Sequence, residues 1–306
     1  MKYIIFHLHF YQPPRFNPFV NEIEFQDSAY PYDNWNERIM MECYLPNVYA
    51  RIFDVSGYIV NIINNLEYVS FNFGPTLIKW IKDNNFELYS KILEADKNSF
   101  QRLGFGNAIA QVYNHIIMPL ANDFDKDIQI YWGLRDFEYH FGRSSAGMWI
   151  SETAVDIPTL EKLAENGIRF TILGSHQIKR YKKLDSSEWI ENAGSLPNKP
   201  FIVNLPSGKK IVIFVFNLKI SHEVSFGSIL NNGKELANLV ISEFKDDDDI
   251  ILVAADGETY GHHKKFGELG LAYALYTLSS NPAVKICNLE YYLEKVGVHY
   301  EAEINE

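Results

Sequence analysis

Two acidic residues, Glu152 and Asp256, each follow an apolar stretch that has the character of a buried strand. Glu152 ends the segment "GMWISE" and Asp256 ends "ILVAAD". Two carboxylates about 5 Å apart can cleave a glycosidic bond with retention of configuration, and a wider pair can do so with inversion. Their repulsion at that distance is about 3 kcal/mol at an effective dielectric constant of about 20, which favours one proton shared by the pair. One carboxyl then serves as a general acid and the other as a nucleophile. Either residue could instead cap a helix or pair with a cation.

A group of polar residues ends the first apolar run of the chain, in "HLHFYQPP". His7 and His9 are two residues apart and so lie on one face of a strand, and Gln12 follows them. With Asp256, His262 or His263 they could bind a divalent metal ion. They could equally donate hydrogen bonds to the hydroxyl groups of a ligand, or be satisfied inside the core. The spacing leaves these three alternatives open.

Apolar strands that alternate with amphipathic helices must position these side chains. Strands are predicted at 2–9, 68–73, 108–113, 146–150, 168–173 and 250–255, with a hairpin at 201–217. Helices are predicted at 36–53, 74–84, 86–103, 126–142, 156–167, 232–244 and 266–280, and a last strand and helix near 284–296. This order indicates a parallel sheet flanked by helices, either open or closed into a barrel. Ligands of such folds bind at the carboxyl ends of the strands, where the polar groups described above are found.

The composition excludes several classes of protein. The 306 residues are 47% hydrophobic, which is enough for a sizeable core, and the net charge of −11 disfavours nucleic acid as a partner. Two distant cysteines, Cys43 and Cys287, cannot form a disulfide framework and indicate a reducing compartment. No signal peptide or membrane-spanning run is apparent. We therefore expect a cytoplasmic protein with neither a nucleic-acid nor a membrane partner.

Three segments, "HLHFYQPP", "GMWISETAVD" and "AADGETYGHH", together resemble the motifs of glycoside hydrolase family 57 in their expected order. That family includes α-amylase-like enzymes, 4-α-glucanotransferases and glycogen-branching enzymes. A fourth segment, "QVYNHIIMPL", resembles the family pattern more loosely, because Asn114 stands where some members carry an acid. The resemblance covers nearly the whole chain.

The resemblance implies an α/β fold, namely an incomplete (β/α)7 barrel of parallel strands. Residues 1–280 would form the catalytic barrel, and residues 281–306 a short C-terminal strand and helix extension without a domain of its own. It also implies a retaining reaction on an α-linked glucan or maltooligosaccharide, without a metal ion or other cofactor. Glu152 would be the nucleophile and Asp256 the general acid/base. The residues that it implies for substrate binding are His7, His9, Gln12, Asn114, His115, Trp149, Glu258 and His262.

Family members usually continue into a helical region that closes the cleft, and this sequence ends before it. We therefore expect an open cleft, a second copy of the chain as a cover in a homo-oligomer, or a longer natural protein. Two alternative functions remain. One is a metal-dependent sugar hydrolase or deacetylase that uses His7, His9 and Asp256, and the other is a non-catalytic barrel that binds glucan.

Overall fold

The computed structural model describes residues 1–305. The strands are β1 (Lys2–Phe10), β2 (Phe16–Asn17), β3 (Glu22–Ile23), β4 (Ala50–Phe53), β5 (Ile59–Ile63), β6 (Ser70–Phe73), β7 (Ala110–Gln111), β8 (Met148–Trp149), β9 (Phe170–Gly174), β10 (Ile178–Lys183), β11 (Ile190–Glu191), β12 (Phe201–Asn204), β13 (Lys210–Phe216), β14 (Ile250–Asp256), β15 (Val284–Ile286) and β16 (Tyr300–Ile304). The helices are α1 (Trp35–Ile39), α2 (Leu45–Val48), α3 (Pro75–Asn84), α4 (Phe86–Leu103), α5 (Asp123–Phe141), α6 (Ile157–Glu165), α7 (Leu218–Phe226), α8 (Gly233–Ser242), α9 (Gly267–Ser279) and α10 (Leu289–Lys295). A π-helical turn, Met40–Tyr44, joins α1 to α2.

Seven parallel strands form a ring in the order β1, β6, β7, β8, β9, β13 and β14. Single parallel bridges, Phe71–Ala108 and Gly147–Phe170, continue the ring from β6 to β7 and from β8 to β9. Within residues 1–305, β13 and β14 form no ladder, although the amide of Asn217 donates to the carbonyl oxygen of Leu252 at 2.7 Å. The ring is therefore open at this interval, and the predicted incomplete (β/α)7 barrel is confirmed.

Alternation along β1 separates the inside of the barrel from its helical coat. Ile4, Phe6 and Leu8 belong to the core between the strands and the helices. Ile5 packs with Phe170, Phe214 and Leu252 in a second core, which lies inside the ring. The inward-facing residues of β1 therefore change from apolar at its start to His7 and His9 at its carboxyl end. Apolar side chains therefore fill the barrel at the start of β1, whereas polar side chains face its interior at the carboxyl end of β1.

Strands β9 and β13 also belong to a six-stranded mixed sheet of order β11-β10-β16-β12-β13-β9. In it, β16 pairs antiparallel with β10 and parallel with β12. Strand β15 pairs with the start of β1. The C-terminal segment from residue 281 onward therefore contributes strands to both sheets and contacts the barrel directly.

The helix predicted at 36–53 is wrong at its C-terminal end. Residues 50–53 form β4, which pairs antiparallel with β5. The carboxylate of Asp54 accepts hydrogen bonds from the amides of Ser56 and Tyr58, and Gly57 adopts φ 83°. This turn chemistry fixes a hairpin, and it overrides the helical spacing of the apolar residues before it.

No helix within residues 1–305 is long and apolar enough to cross a bilayer.

Candidate active site

Glu152 lies in a tight turn directly after β8, in an unusual backbone conformation. Glu152 and Thr153 have φ values of 56° and 55°, in the left-handed region that non-glycine residues seldom adopt. Such a conformation costs about 1–3 kcal/mol per residue and persists where the surrounding structure imposes it. Ser151 beneath it is fully buried, whereas the side chain of Glu152 is exposed. The turn therefore holds an exposed carboxylate on a rigid base.

Asp256 is the last residue of β14, and it lies opposite His9 in the register of the β1–β14 pair. The chain turns at once after it, through Gly257. A Cβ atom at residue 257 would lie 2.2 Å from ring atoms of Phe10, so only glycine allows the turn to pack this closely on β1. Asp256 is therefore held against the end of the strand that carries the histidines.

The two acids influence each other electrostatically. Partial burial raises the pKa of Asp256, and the charge of Glu152 raises it further, while His263 opposes this shift. The charge of Glu152 also acts on His115, where it raises the pKa against the larger lowering by burial. Glu152, Asp256 and His115 therefore share one region at the carboxyl ends of the strands. Asp256 is biased towards keeping a proton, as a general acid requires.

A chain of hydrogen bonds runs through the buried histidines. His7 contacts Ser70 Oγ through Nδ1 at 3.0 Å and Asn72 Oδ1 through Nε2 at 3.1 Å. Asn72 Nδ2 donates to His9 Nδ1 at 2.8 Å and to Gln111 Oε1 at 2.5 Å. His9 Nε2 then contacts His115 Nε2 at 2.9 Å.

The amide of Asn72 fixes the direction of every bond in this chain. Its oxygen can only accept, so His7 carries its proton on Nε2 and accepts from the hydroxyl of Ser70. Its nitrogen can only donate, so His9 accepts through Nδ1 and carries its proton on Nε2, which donates to His115. Burial lowers the pKa of His7 to about 3 and lowers that of His9, so both rings are neutral. His115 must then carry its own proton on Nδ1.

Aromatic rings form a wall beside this chain of histidines. The ring of Trp149 lies within 22° of parallel to His7 and His9, with centroids 5.1 and 4.9 Å away. Tyr11 stacks on His115 at 3.9 Å. Trp149 Nε1 and Ser151 Oγ are buried polar atoms that have no hydrogen-bond partner within the described part of the chain.

Asn72→Asp should disturb the active site without unfolding it. Aspartate has the same shape but only accepts, so His9 must either move its proton to Nδ1 or become charged. Since the new carboxylate stabilises a charged His9, we expect the pKa of His9 to rise and kcat to fall at least tenfold, or about 1.4 kcal/mol. The ¹⁵N shifts of the imidazole nitrogens would report the tautomers directly. Wild-type rings protonated on Nδ1 would contradict the assignment.

Glu258 lies beneath the site rather than in its open surface. Its side chain is only 4% exposed. It accepts a hydrogen bond from the hydroxyl of Tyr44 at 2.6 Å and a long one from Gln12 Nε2 at 3.4 Å. Arg15 donates to the amide oxygen of Gln12 at 2.8 Å. Gln12 and Glu258, both predicted to bind substrate, therefore hold the loop after β1 against the turn after β14.

Glu258→Gln should remove a pH dependence of stability. Burial raises the pKa of Glu258 to about 7 from an ordinary value of 4.5. The folded state therefore binds this proton more tightly than the unfolded state does. The stability that it contributes is full below pH 4.5 and is lost as pH rises to about 7, by up to about 3 kcal/mol. Denaturant unfolding of both proteins at pH 5 and pH 8 tests this, and an equal pH dependence of both would contradict it.

The remaining predicted residues differ in their contacts and in their exposure. His115, with φ 53°, reaches His9, whereas the neighbouring Asn114 is exposed. His262 Nδ1 contacts Glu42 Oε2 at 2.5 Å. His263, which the sequence also places among the surroundings of Asp256, is the histidine that acts on the pKa of Asp256.

Sequence reasoning missed Ser70, Asn72, Gln111 and Tyr11. A signal was present for two of them. In "SFNF" the polar residues Ser70 and Asn72 alternate with phenylalanines, and they therefore point to the same face of β6. Two buried polar residues on the inner face of a short strand indicate a polar site within the barrel.

Within residues 1–305, His, Cys, Asp and Glu side chains form no group of three or more that could hold a metal ion. His7 and His9, which the metal-dependent alternative needs as ligands, have both ring nitrogens engaged by protein partners. The geometry therefore gives no specific support to that alternative.

The sequence model of a protein family, glycosyl hydrolase family 57, matches residues 3–304 of the chain. A comparison with curated proteins gives no match. Among solved structures, 4-α-glucanotransferase from Thermococcus litoralis is similar at a TM-score of 0.70 and 17% identity, over 99% of this chain and 42% of that one. A branching enzyme from the archaeon Pyrococcus horikoshii is similar at 0.68 and 14%, over 99% and 72%. The α-amylase AmyC from Thermotoga maritima is similar at 0.62 and 14%, over 98% and 76%.

The chain thus spans less than half the length of the glucanotransferase. At these identities the similarity to solved structures concerns the fold alone. The family model, in contrast, covers the barrel, both acids and the histidine motif. The chain therefore belongs to glycosyl hydrolase family 57.

Proposed function

We propose that this chain is a retaining glycoside hydrolase or transglycosylase that acts on α-linked glucans. The observation that carries the proposal is the placement of two acids at the carboxyl ends of β8 and β14, with the charge of Glu152 raising the pKa of Asp256. Family membership and the glucan-acting enzymes of similar fold support the choice of substrate.

In the first step, the carboxylate of Glu152 attacks the anomeric carbon while Asp256 donates its proton to the leaving glycosidic oxygen. A covalent glycosyl ester on Glu152 results, and Asp256 is now ionised. In the second step, Asp256 takes a proton from water or from a sugar hydroxyl, which attacks the anomeric carbon and releases Glu152. Two inversions give net retention, and the acceptor decides between hydrolysis and transfer.

The aromatic wall would pack against the sugar at the bond that is cleaved, and the neutral histidines, whose ring nitrogens are engaged by protein partners, would hold that wall in place. Since His7 and His9 are uncharged, they do not neutralise the carboxylate of Glu152, which must stay nucleophilic. Trp149 would form the wall of this subsite, which orients the anomeric carbon towards Glu152.

The stereochemistry of the first product tests the proposal. Proton NMR during digestion of a maltooligosaccharide should show the α-anomer of the new reducing end before mutarotation. The β-anomer as first product would overturn the retaining mechanism. The size distribution of the products then separates hydrolysis, which only shortens chains, from transfer, which also lengthens them.

A further inference from the structure

A groove on the flank of the barrel lies beside the loop that follows β14. Two cavities, of about 750 and 590 Å³, share Arg51, Lys265 and Phe266 in their linings. The first extends towards α2, where Tyr49 and Glu42 line it, and the second extends towards the start of α8. We call these two neighbouring cavities the flank groove. Each of them has a volume typical of ligand-binding clefts.

Phe266, between the two cavities, has an unusual backbone conformation. Its φ is 65°, in the left-handed region, and it directly precedes α9. A bulky residue is an outlier there, at a cost of about 1–3 kcal/mol. Its side chain is 58% exposed, so burial returns little of that cost. An exposed aromatic ring held in a strained backbone between two cavities points to a contact with a ligand.

The walls of the flank groove combine aromatic rings with charges of both signs. Tyr49 and Tyr273 line its two ends, and Lys265 Nζ lies 5.2 Å from the centroid of the Phe266 ring. Arg51 stands at the junction of the cavities. A sugar presents an apolar face to such rings and hydroxyl groups at its edges, which bond to both carboxylates and guanidinium groups.

Glu268 also lines the first cavity, and the residue is 4% exposed. Its Oε2 atom is buried and has no hydrogen-bond partner within the described residues. A buried polar atom without a partner is costly, and a ligand hydroxyl would relieve that cost. Glu42 in the same lining is already engaged by Arg38 and His262. Mixed charges of this kind favour a neutral, hydroxyl-rich ligand over an anion or a cation.

We propose that the flank groove is a second binding site for an α-glucan chain, with the ring of Phe266 as its stacking platform. The inference rests on the proposed function for the identity of the glucan. His262 lines the groove, and the next residue, His263, acts on Asp256. A polymer bound here is therefore held within one residue of the catalytic turn, which raises its local concentration at the active site.

Affinity electrophoresis of the full chain through gels that contain glycogen tests the proposal. Phe266→Asn and Phe266→Gly remove the ring at a position whose backbone both residues adopt readily, so folding is retained. We expect both variants to bind glycogen at least fivefold more weakly than the parent. Phe124→Asn is the matched control, because Phe124 is 71% exposed on α5 and lines neither cavity, and it should leave binding unchanged. All proteins carry Glu152→Gln, so that the polymer is not degraded.

Unchanged binding by both Phe266 variants would overturn the proposal, and so would a parent protein that glycogen does not retard. Gels that contain a β-linked glucan form a second arm, and equal retardation there would overturn the specificity for α-linkages. The stereochemical test of the catalytic proposal is independent of this result. A retaining enzyme whose Phe266 variants bind normally refutes only the second site. Weakened binding in a chain that inverts configuration refutes only the mechanism.

Discussion

Glu152→Gln is expected to lower kcat on maltooligosaccharides by at least about 10³-fold while the protein remains folded. The amide has nearly the same size as the carboxylate, but it cannot form the glycosyl ester. The side chain of Glu152 is exposed, so the change leaves no unpaired buried group. Glu188→Gln, at an exposed surface position, is the matched control and should retain full activity. Initial rates and circular dichroism measure the two effects, and near wild-type turnover of Glu152→Gln would remove the residue from the reaction.

Rescue of activity by azide can distinguish a nucleophilic role of Glu152 from a role in substrate binding. Glu152→Ala leaves space for azide, which would attack the anomeric carbon directly from the side that the nucleophile normally occupies. One inversion on an α-linked substrate then gives a β-glycosyl azide. Formation of the α-glycosyl azide would instead mean that another residue still forms the covalent intermediate.

Asp256→Asn should reduce kcat by about 10²–10⁴-fold on natural glucans, because the leaving oxygen is no longer protonated. Substrates with an activated leaving group need no such help in the first step, so the intermediate should accumulate as a burst. Azide attack on that intermediate would give the α-glycosyl azide, opposite to the product of Glu152→Ala. Asp185→Asn, which is exposed, serves as the control. Equal loss of the rate of the first step on activated and natural substrates would contradict the acid role.

The pH dependence of the reaction rate tests the same role of Asp256. Since burial and the charge of Glu152 raise the pKa of Asp256, the wild-type rate should fall as pH rises through that raised value. Asp256→Asn should lack this alkaline decline. In Glu152→Gln the neighbouring charge is gone, so the pKa of Asp256 should be lower, as carboxyl ¹³C titration would measure.

The barrel and its two acids could be predicted because their signals are local. A buried apolar run that ends in an acid marks Glu152 and Asp256, and alternation of strands with helices indicates the parallel ring. Strands β10 and β16 were missed because each is short and rich in charged residues, and because they pair with segments that are distant in the sequence. Their pairing is a tertiary property and leaves little trace in either sequence alone.

The central role of Asn72 could not be predicted from the sequence for a related reason. Its identity as a polar strand residue is visible, but its three partners come from β1 and β7. Local conformational preference also fails to predict the strained backbones of Glu152 and Phe266, because both residue types favour negative φ. The sequence thus indicates the candidate catalytic residues, and the fold determines which residues surround them.

The left-handed backbone conformation of Glu152 lowers the stability of the fold, whereas the proposed reaction requires the side chain of this residue. Glycine adopts this conformation without penalty, so a mutation to glycine would relax the turn and also remove the proposed nucleophile. Drift towards a more stable protein therefore leads directly away from catalysis at this position. A lineage that no longer needed the reaction would be expected to lose this glutamate early, and its survival in a homologous chain would be a sensitive marker of retained activity.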